Sequence, residues 1–136
     1  MTAKAIIEIA SVIIIVLGGI LMMSFGSIAR MNRFLSREEL SPDEFYQQYY
    51  KSSGLPKDQV IEVLNFVAIE LRIPAELLRP TDRFTEELEP KGLFFEYAFD
   101  GLIMELDILL RKKGLTQIPD IKNIDEYIRC IIELKE

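Results

Sequence analysis

The longest hydrophobic stretch of the chain runs from Ile9 to Ala29 and contains no charged residue. As an α-helix with a rise of about 1.5 Å per residue, it spans roughly 30 Å, the thickness of the hydrocarbon core of a bilayer. A helix satisfies all of its own backbone hydrogen bonds in lipid. The pattern therefore predicts a single transmembrane helix, and residues 1–30 are assigned to a membrane anchor.

A cleaved signal peptide is the alternative interpretation of this stretch. Signal peptides have a shorter apolar core, of about 7–15 residues, and a small-x-small cleavage site. The stretch here is longer, although residues 26–29 resemble a weak cleavage site. A retained anchor is therefore favoured, and its small residues would let another helix approach closely in lipid. The residues of this predicted packing face are Ser11, Gly18, Gly19 and Gly26.

Residues 31–56 are predicted to form a linker that contains a short aromatic helix. This helix begins at the sequence Ser41 to Glu44 and ends near Lys51. Serine is a common N-cap, proline fits the first turn, and Glu44 completes a capping box. Its aromatic side chains share one face, which we expect to pack on the rest of the protein. They are Phe45, Tyr46, Tyr49 and Tyr50.

Residues 57–136 carry three further helical patterns and are predicted to form one small domain. The first helix runs from about Lys57 to Arg72 and has an inward apolar stripe. A loop broken by three prolines follows over residues 74–91, and the last helix runs from near Asn123 to Leu134. The residues expected in the core are Val60, Leu64, Val67, Ala68 and Leu71 of the first helix, Leu77, Leu78, Phe84 and Leu88 of the loop, and Ile124, Tyr127, Ile128, Ile131 and Ile132 of the last helix.

The remaining helix is predicted from Gly92 to Lys113, and it is apolar on two sides. Its inner stripe, Phe95 to Leu109, is expected in the core, whereas its outer face combines apolar residues with a charged rim. An apolar centre with a charged rim is typical of a docking site. The predicted partner-binding residues of this outer face are Glu96, Tyr97, Asp100, Met104, Asp107 and Ile108. The alternative is that the aromatic helix covers this face as additional core.

No stretch of the sequence has the alternation of a convincing β-strand. The predicted fold class is therefore all-α, with a single N-terminal transmembrane helix followed by a small helical bundle. About a hundred residues remain after the anchor, which is enough for one small domain with a modest core.

Composition excludes several kinds of chemistry. The chain has 136 residues with no histidine, no tryptophan and one cysteine, so it forms no intrachain disulfide and has no histidine for catalysis or metal binding. From Glu38 onward there are 12 Lys and Arg against 21 Asp and Glu, a net charge of −9. Such a domain is not expected to bind nucleic acid, and it suits a protein partner with a basic docking surface.

We predict no catalytic site, no metal site and no cofactor. Three glutamates of the proline-broken loop could ligate a hard cation, but their spacing matches no calcium loop. They are Glu86, Glu87 and Glu89. No nucleophile, general base or phosphate-binding glycine loop accompanies them.

Charges next to the anchor predict its orientation. Arg30, Arg33 and Arg37 follow the apolar stretch, whereas only Lys4 and the α-amino group precede it. Positive charge favours the cytoplasmic side of a membrane. We therefore expect a single-pass protein of the bacterial inner (plasma) membrane whose C-terminal domain is cytoplasmic.

The order of these elements resembles the acyl carrier protein fold over roughly residues 57–134. A first helix is followed by residues 73–88, whose sequence is Ile-Pro-Ala-Glu-Leu-Leu-Arg-Pro-Thr-Asp-Arg-Phe-Thr-Glu-Glu-Leu. A long helix comes next, then residues 117–120 (Gln-Ile-Pro-Asp), and finally a short helix. In that family the second helix begins with Asp-Ser-Leu, and the serine carries phosphopantetheine, whose thiol holds acyl chains. The resemblance implies that the second helix is the main recognition helix and that its acidic residues meet basic patches on enzymes.

The sequence departs from the family at the site of the prosthetic group. In the family, the loop before the second helix leads to a phenylalanine, an acidic pair and a leucine, which Phe84, Glu86, Glu87 and Leu88 resemble. Counting from Phe84 without gaps places Gly92 at the serine position, and no serine or threonine lies between Glu86 and Ile103. Glycine has no hydroxyl, so phosphopantetheine cannot be attached there. The predicted second helix is also longer than the family's, and residues 119–123 are too few for its small third helix.

Two functions remain open at this point. The first is a membrane-anchored, non-catalytic interaction module with a degenerate carrier-like domain, acting as a subunit of a larger membrane-associated assembly. The alternative is a working carrier or accessory protein in lipid or acyl-group metabolism. Gly92 argues against the alternative.

Overall fold

The computed structural model of the chain describes residues 2–89 and 99–136, and it describes their side chains except those of residues 22–30. The only β-type pairing in these ranges is an isolated antiparallel bridge between Arg83 and Asn123. The helices are α1 (Ala3–Leu35), α2 (Pro42–Tyr49), α3 (Lys57–Leu71), a 3-10 turn (Ala75–Leu77), α4 (Asp100–Lys112) and α5 (Ile124–Lys135). The predicted all-α fold, with an apolar N-terminal helix followed by a helical domain, is confirmed.

Helix α1 is one continuous helix of 33 residues. The hydroxyl of Thr2 caps it by accepting a hydrogen bond from the Ala5 amide at 3.3 Å. Its segment Ala3–Leu21 is long and apolar enough to cross a membrane, although a signal sequence near the N-terminus meets the same description. The helix continues past residue 30, where the sequence analysis ended the anchor, so the first residues of the predicted linker are helical.

The last turn of α1 belongs to the core of the domain. The side chain of Phe34 is 1% exposed and lies in the same hydrophobic cluster as residues of α3 and α5. The guanidinium carbon of Arg37 lies 4.6 Å from the centre of the Phe34 ring. The last turn of the N-terminal helix is therefore part of the domain's core.

Helix α2 packs against α3 and the 3-10 turn. The Ser41 hydroxyl accepts a hydrogen bond from the Glu44 amide at 3.1 Å, which confirms the predicted N-cap. Two of its predicted aromatic residues, Phe45 and Tyr50, are fully buried with their rings stacked at 5.6 Å. These two residues of the predicted aromatic face are therefore core, whereas Tyr49 is 40% exposed, and α2 packs against α3 rather than α4.

Helices α3 and α5 lie side by side and bury the residues that the sequence predicted. The α5 helix starts at Asn123, whose side chain accepts a hydrogen bond from the Glu126 amide at 2.9 Å. The Glu126 carboxylate in turn accepts from the Lys122 amide at 2.7 Å. This reciprocal pairing fixes the start of α5.

The proline-broken loop follows the surface of the domain and is fastened to the start of α5. Leu77, Leu78 and Leu88 are buried, and Phe84 packs partly against the core. The backbone amides of Ile124 and Asp125 donate to loop carbonyls at 3.1 and 2.9 Å. These contacts account for the ordered path of a segment with little regular structure.

Helix α4 is preceded by Phe99, which adopts a turn conformation, and it starts at Asp100. The predicted helix from Gly92 is therefore not continuous through Phe99, and residues 92–98 lie outside the described part of the chain. The inner stripe is confirmed where it is described: Leu102, Leu106 and Leu109 are buried. The Tyr127 hydroxyl of α5 donates to the Leu102 carbonyl at 3.0 Å, which fastens α4 to α5.

Candidate functional site

The outer face of α4 carries exposed apolar side chains. Met104 is 63% exposed, Ile103 is 47% exposed and Ile108 is 44% exposed. With 3.6 residues per turn, Met104 projects opposite the buried stripe that contains Leu102 and Leu106. These three residues are too exposed to be core, so α2 does not cover this part of the face. We call Asp100, Ile103, Met104, Asp107, Ile108 and Arg111 together the α4 outer face.

Charged groups are distributed unevenly along this face. Asp100 occupies the first turn of α4, and Arg111 and Lys112 occupy the last turn. The Asp107 carboxylate pairs with the Arg111 guanidinium one turn later at 3.0 Å, while Arg111 remains largely exposed. The face therefore has an acidic beginning, an apolar centre and a basic end.

Two residues of the predicted partner-binding face, Glu96 and Tyr97, lie outside the described residues. The same holds for Gly92, which the resemblance aligns with the carrier serine. The structure brings Asp100, Met104, Asp107 and Ile108 together on one face, as the sequence predicted. The sequence analysis missed Ile103 and Arg111, although the same helical period that selected Met104 and Ile108 also places them beside that pair.

An apolar cavity of about 230 Å³ opens between α4, α5 and the segment that connects them. Ile103 borders both this cavity and the outer face. The rings of Phe84 and Phe99 meet edge-to-face at 5.4 Å in the cavity wall. Burial, together with nearby carboxylates, raises the pKa of Tyr127, so the hydroxyl in this wall stays neutral and acts as a donor. Apart from Asp120 and the Tyr127 hydroxyl, the described lining is apolar, so the cavity suits apolar groups.

A second, polar cavity of about 530 Å³ lies where α1 enters the domain. It includes the three glutamates considered as a cation site. Arg83 forms ion pairs with Glu86 and Glu87, and its backbone amide donates to Glu87 at 2.9 Å. The hydrogen bond from the Arg83 backbone amide is the main reason why the pKa of Glu87 is lowered. No group of three metal-ligating side chains occurs within residues 2–89 and 99–136.

The buried ionisable groups hold helices together. Tyr50 of α2 donates to the Asp125 carboxylate of α5 at 2.7 Å, and Arg129 pairs with the same carboxylate at 3.0 Å. Burial and this hydrogen bond raise the pKa of Tyr50. Cys130 is half-buried beside the core, where burial raises the pKa of its thiol. In this position the thiol packs as a small apolar side chain.

The predicted membrane packing face lies on the open surface of α1 where it is described. The Ser11 hydroxyl donates to the Ile7 carbonyl one turn earlier at 2.8 Å, which satisfies it within the helix. A Cβ added at Gly18 or Gly19 would meet no atom within 4 Å. Gly26 lies in the part of α1 whose side chains are not described.

Comparison of the chain with protein-family models, with curated proteins and with solved structures found no match. The geometry of the chain's own residues is therefore the basis for any functional argument.

Proposed function

We propose that this chain is a membrane-anchored, non-catalytic interaction module whose helical domain docks a basic protein surface on the α4 outer face. The observation that carries the proposal is the exposure of Met104, Ile103 and Ile108 on a helix whose opposite side is well buried. Large apolar side chains clustered on the surface of a small domain are typical of interaction sites. The acidic groups beside them favour a basic partner, in keeping with the acidic domain as a whole.

The proposed location is the bacterial inner membrane, with α1 as a retained single-pass anchor and the domain in the cytoplasm. The unbroken helix through residues 26–29 supports retention, because the weak cleavage site in that segment has no extended backbone. A reporter fused after Glu136 is expected to be active only as a cytoplasmic reporter. Periplasmic activity of the reporter would show that the orientation is the reverse of the proposed one.

The proposed domain fold is a degenerate acyl-carrier-like bundle. The order of α3, a proline-broken loop, α4 and α5 supports it, and so does the packing of α5 against both α3 and α4. No helix lies between α4 and α5 within the described residues, which departs from the carrier family. Under this proposal α4 corresponds to the recognition helix of the family.

The docking role is tested by charge reversal on the outer face. The full chain is purified in mild detergent from cells of the source, and the proteins that accompany it are quantified. Changing Asp100→Arg together with Asp107→Arg is expected to leave folding intact and to abolish capture, because like charges would then face each other across the interface. A matched control, Asp58→Arg with Glu133→Arg, makes the same charge change on exposed positions of α3 and α5. Equal capture by the two double variants would contradict the docking role.

The apolar cavity beside α4 favours a second candidate function, an accessory protein that handles acyl chains. Its size and apolar walls suit part of an alkyl chain. Attachment through phosphopantetheine is not expected because of Gly92, so the intact mass should stay unchanged after co-expression with a promiscuous phosphopantetheinyl transferase. Non-covalent binding is tested with a fluorescent fatty acid. Saturable binding that Ile118→Arg abolishes would support the second candidate, since Ile118 lines the cavity and is 46% exposed, and absence of binding would leave the docking role alone.

A further inference from the structure

We propose that the partner of the α4 outer face is the same face of a second copy of this chain, whose basic end at Arg111 and Lys112 meets the acidic beginning at Asp100. The inference rests on the proposed function in taking this face as a docking site, and it names the partner. The two α4 helices pair antiparallel about a two-fold axis, which makes the interface self-complementary. In such an interface the same patch serves on both subunits, and each contact occurs twice.

The apolar centre of the face fits this symmetry. When the two-fold axis passes at the level of Leu106, Met104 of one copy lies opposite Ile108 of the other. The second half of the interface repeats this contact in the opposite direction. Both side chains project outward on the same side of α4 and are exposed in the single chain. Pairing them removes from water the apolar surface that a single domain leaves open.

The charges flanking that centre complement one another in the same arrangement. Asp100 lies four residues before Met104, and Arg111 lies three residues after Ile108. Antiparallel pairing therefore brings Asp100 level with Arg111 of the second copy, to within about one residue's rise of 1.5 Å. Parallel pairing would instead place Asp100 against Asp100, where like charges repel.

A second ionic contact lies on the other flank of the helix. The Glu70 carboxylate lies so close to Gly101 that a Cβ added at Gly101 would overlap it. Glu70 therefore adds negative charge at the beginning of α4, on the side of the helix toward which Lys112 projects at its end. Antiparallel pairing brings Glu70 level with Lys112 of the second copy. At each end of the interface, each flank thus pairs one carboxylate from one copy with one cation from the other.

A competing explanation exists for the charge gradient along α4. Acidic residues at the start of a helix and basic residues at its end also stabilise the helix through its dipole. That explanation requires no second copy, and it predicts that exchanging the two charges only weakens the helix. Self-association predicts instead that an exchange of both charges restores the contact. Variants at both positions separate the two explanations.

The test measures the mass of the full chain in mild detergent by sedimentation equilibrium over a range of concentrations. The unaltered chain is expected to form dimers. Asp100→Arg and Arg111→Asp are each expected to weaken dimerisation at least tenfold, because each single change places like charges opposite each other. The double variant, Asp100→Arg with Arg111→Asp, is expected to recover most of the dimer affinity. Asp58→Arg, an exposed change on α3, serves as the control and should leave the mass distribution unchanged.

The register of the pairing is tested by cysteine cross-linking in a Cys130→Ala background. A mixture of Met104→Cys and Ile108→Cys chains is expected to be cross-linked by a short thiol-reactive reagent more efficiently than either chain alone. Ile69→Cys, which is 73% exposed on α3, is the matched control. Equal cross-linking of all samples would overturn the antiparallel register.

The outcomes also separate this inference from the proposed function. A dimer that resists both single reversals, but is lost in Gly18→Ile, would arise from the anchor and overturn the inference. A double variant as weak as the single ones would overturn it as well. A monomeric chain that captures a different protein through the outer face would overturn the inference and leave the docking role in place. If the charge reversals changed neither self-association nor capture, both the inference and the docking role would be contradicted.

Discussion

Arg37 and Asp82 join the end of the N-terminal helix to the proline-broken loop through two hydrogen bonds, each 2.8 Å long. Asp82 is 2% exposed and is the buried charged residue of the described core. Its carboxylate also accepts the Arg79 amide at 2.8 Å, and Arg37 donates to the Leu77 carbonyl at 3.0 Å. The hydrogen bond to Asp82 is the main reason why the pKa of Arg37 is raised.

Removing the cation from this pair is expected to destabilise the domain. Arg37→Leu leaves the buried Asp82 carboxylate without its counter-charge, and the expected loss is about 2–4 kcal/mol, since Arg37 is partly exposed. Arg33→Leu is the matched control, because that guanidinium is exposed and, within residues 2–89 and 99–136, donates to the Glu89 carbonyl at 3.2 Å. Thermal unfolding in detergent, followed by near-ultraviolet circular dichroism, measures the difference. Equal melting temperatures would show that the pair contributes nothing.

Phe34 provides a separate test of whether α1 enters the core. Phe34→Ala removes a ring that is fully buried in the domain, and about 3–5 kcal/mol of unfolding free energy should be lost. Leu35→Ala is the control, because its neighbouring side chain is 62% exposed and should matter by less than about 0.5 kcal/mol. Denaturant titration of the full-length variants gives both values. A similar small effect for both variants would mean that the helix ends outside the core.

The hydrogen bond between α2 and α5 predicts a graded effect. Tyr50→Phe removes the hydroxyl that donates to Asp125 at 2.7 Å but keeps the buried ring. The cost should be about 1–2 kcal/mol, because Asp125 still has Arg129 as a partner. Tyr49→Phe alters an exposed hydroxyl on the same helix and should leave stability unchanged. The two substitutions are compared by urea unfolding, and a null result for Tyr50→Phe would argue that the bond is not formed in solution.

Cys130 predicts a pH dependence. Burial raises the pKa of its thiol, and Glu133 adds to this effect, so the thiolate forms at higher pH in the folded chain than in the unfolded chain. Alkylation by iodoacetamide should therefore be slower in the folded protein between about pH 7 and pH 9. Any stability linked to this group is full below the pKa of the unfolded thiol and is lost as the pH rises through the folded pKa. Equal rates for folded and urea-unfolded chains would contradict the raised pKa.

Local sequence patterns were enough to place the caps and inward faces of the helices. The serine at Ser41 and the asparagine at Asn123 marked helix starts, because capping depends on residues within one turn. The inward residues of α3 and α5 followed from the helical period. The exposed Met104 and Ile108 were predicted as an outer stripe by the same period, although the sequence left open whether α2 would cover it.

The features that the sequence did not predict depend on distant residues. The pairing of Arg37 with Asp82 joins positions 45 residues apart, and no local sequence pattern predicts it. The extension of α1 to Leu35 was missed because the apolar stretch ends at the charged residue Arg30, where a search for a membrane span stops. Helical propensity continues through those residues, and the burial of Phe34 depends on its packing in a core cluster whose other members are distant in sequence.

The separation between Arg37 and Asp82 also orders events during biosynthesis. Arg37 precedes Asp82 by 45 residues, so the nascent chain carries this guanidinium without its carboxylate partner until the loop has been synthesised. Under the proposed topology, it would meanwhile add to the positive charge of Arg30 and Arg33 on the cytoplasmic side of the anchor. In the folded domain the same guanidinium is paired with the buried Asp82 carboxylate. On that proposal one side chain would have two successive roles, first as positive charge beside the anchor and then as the link between the end of α1 and the loop.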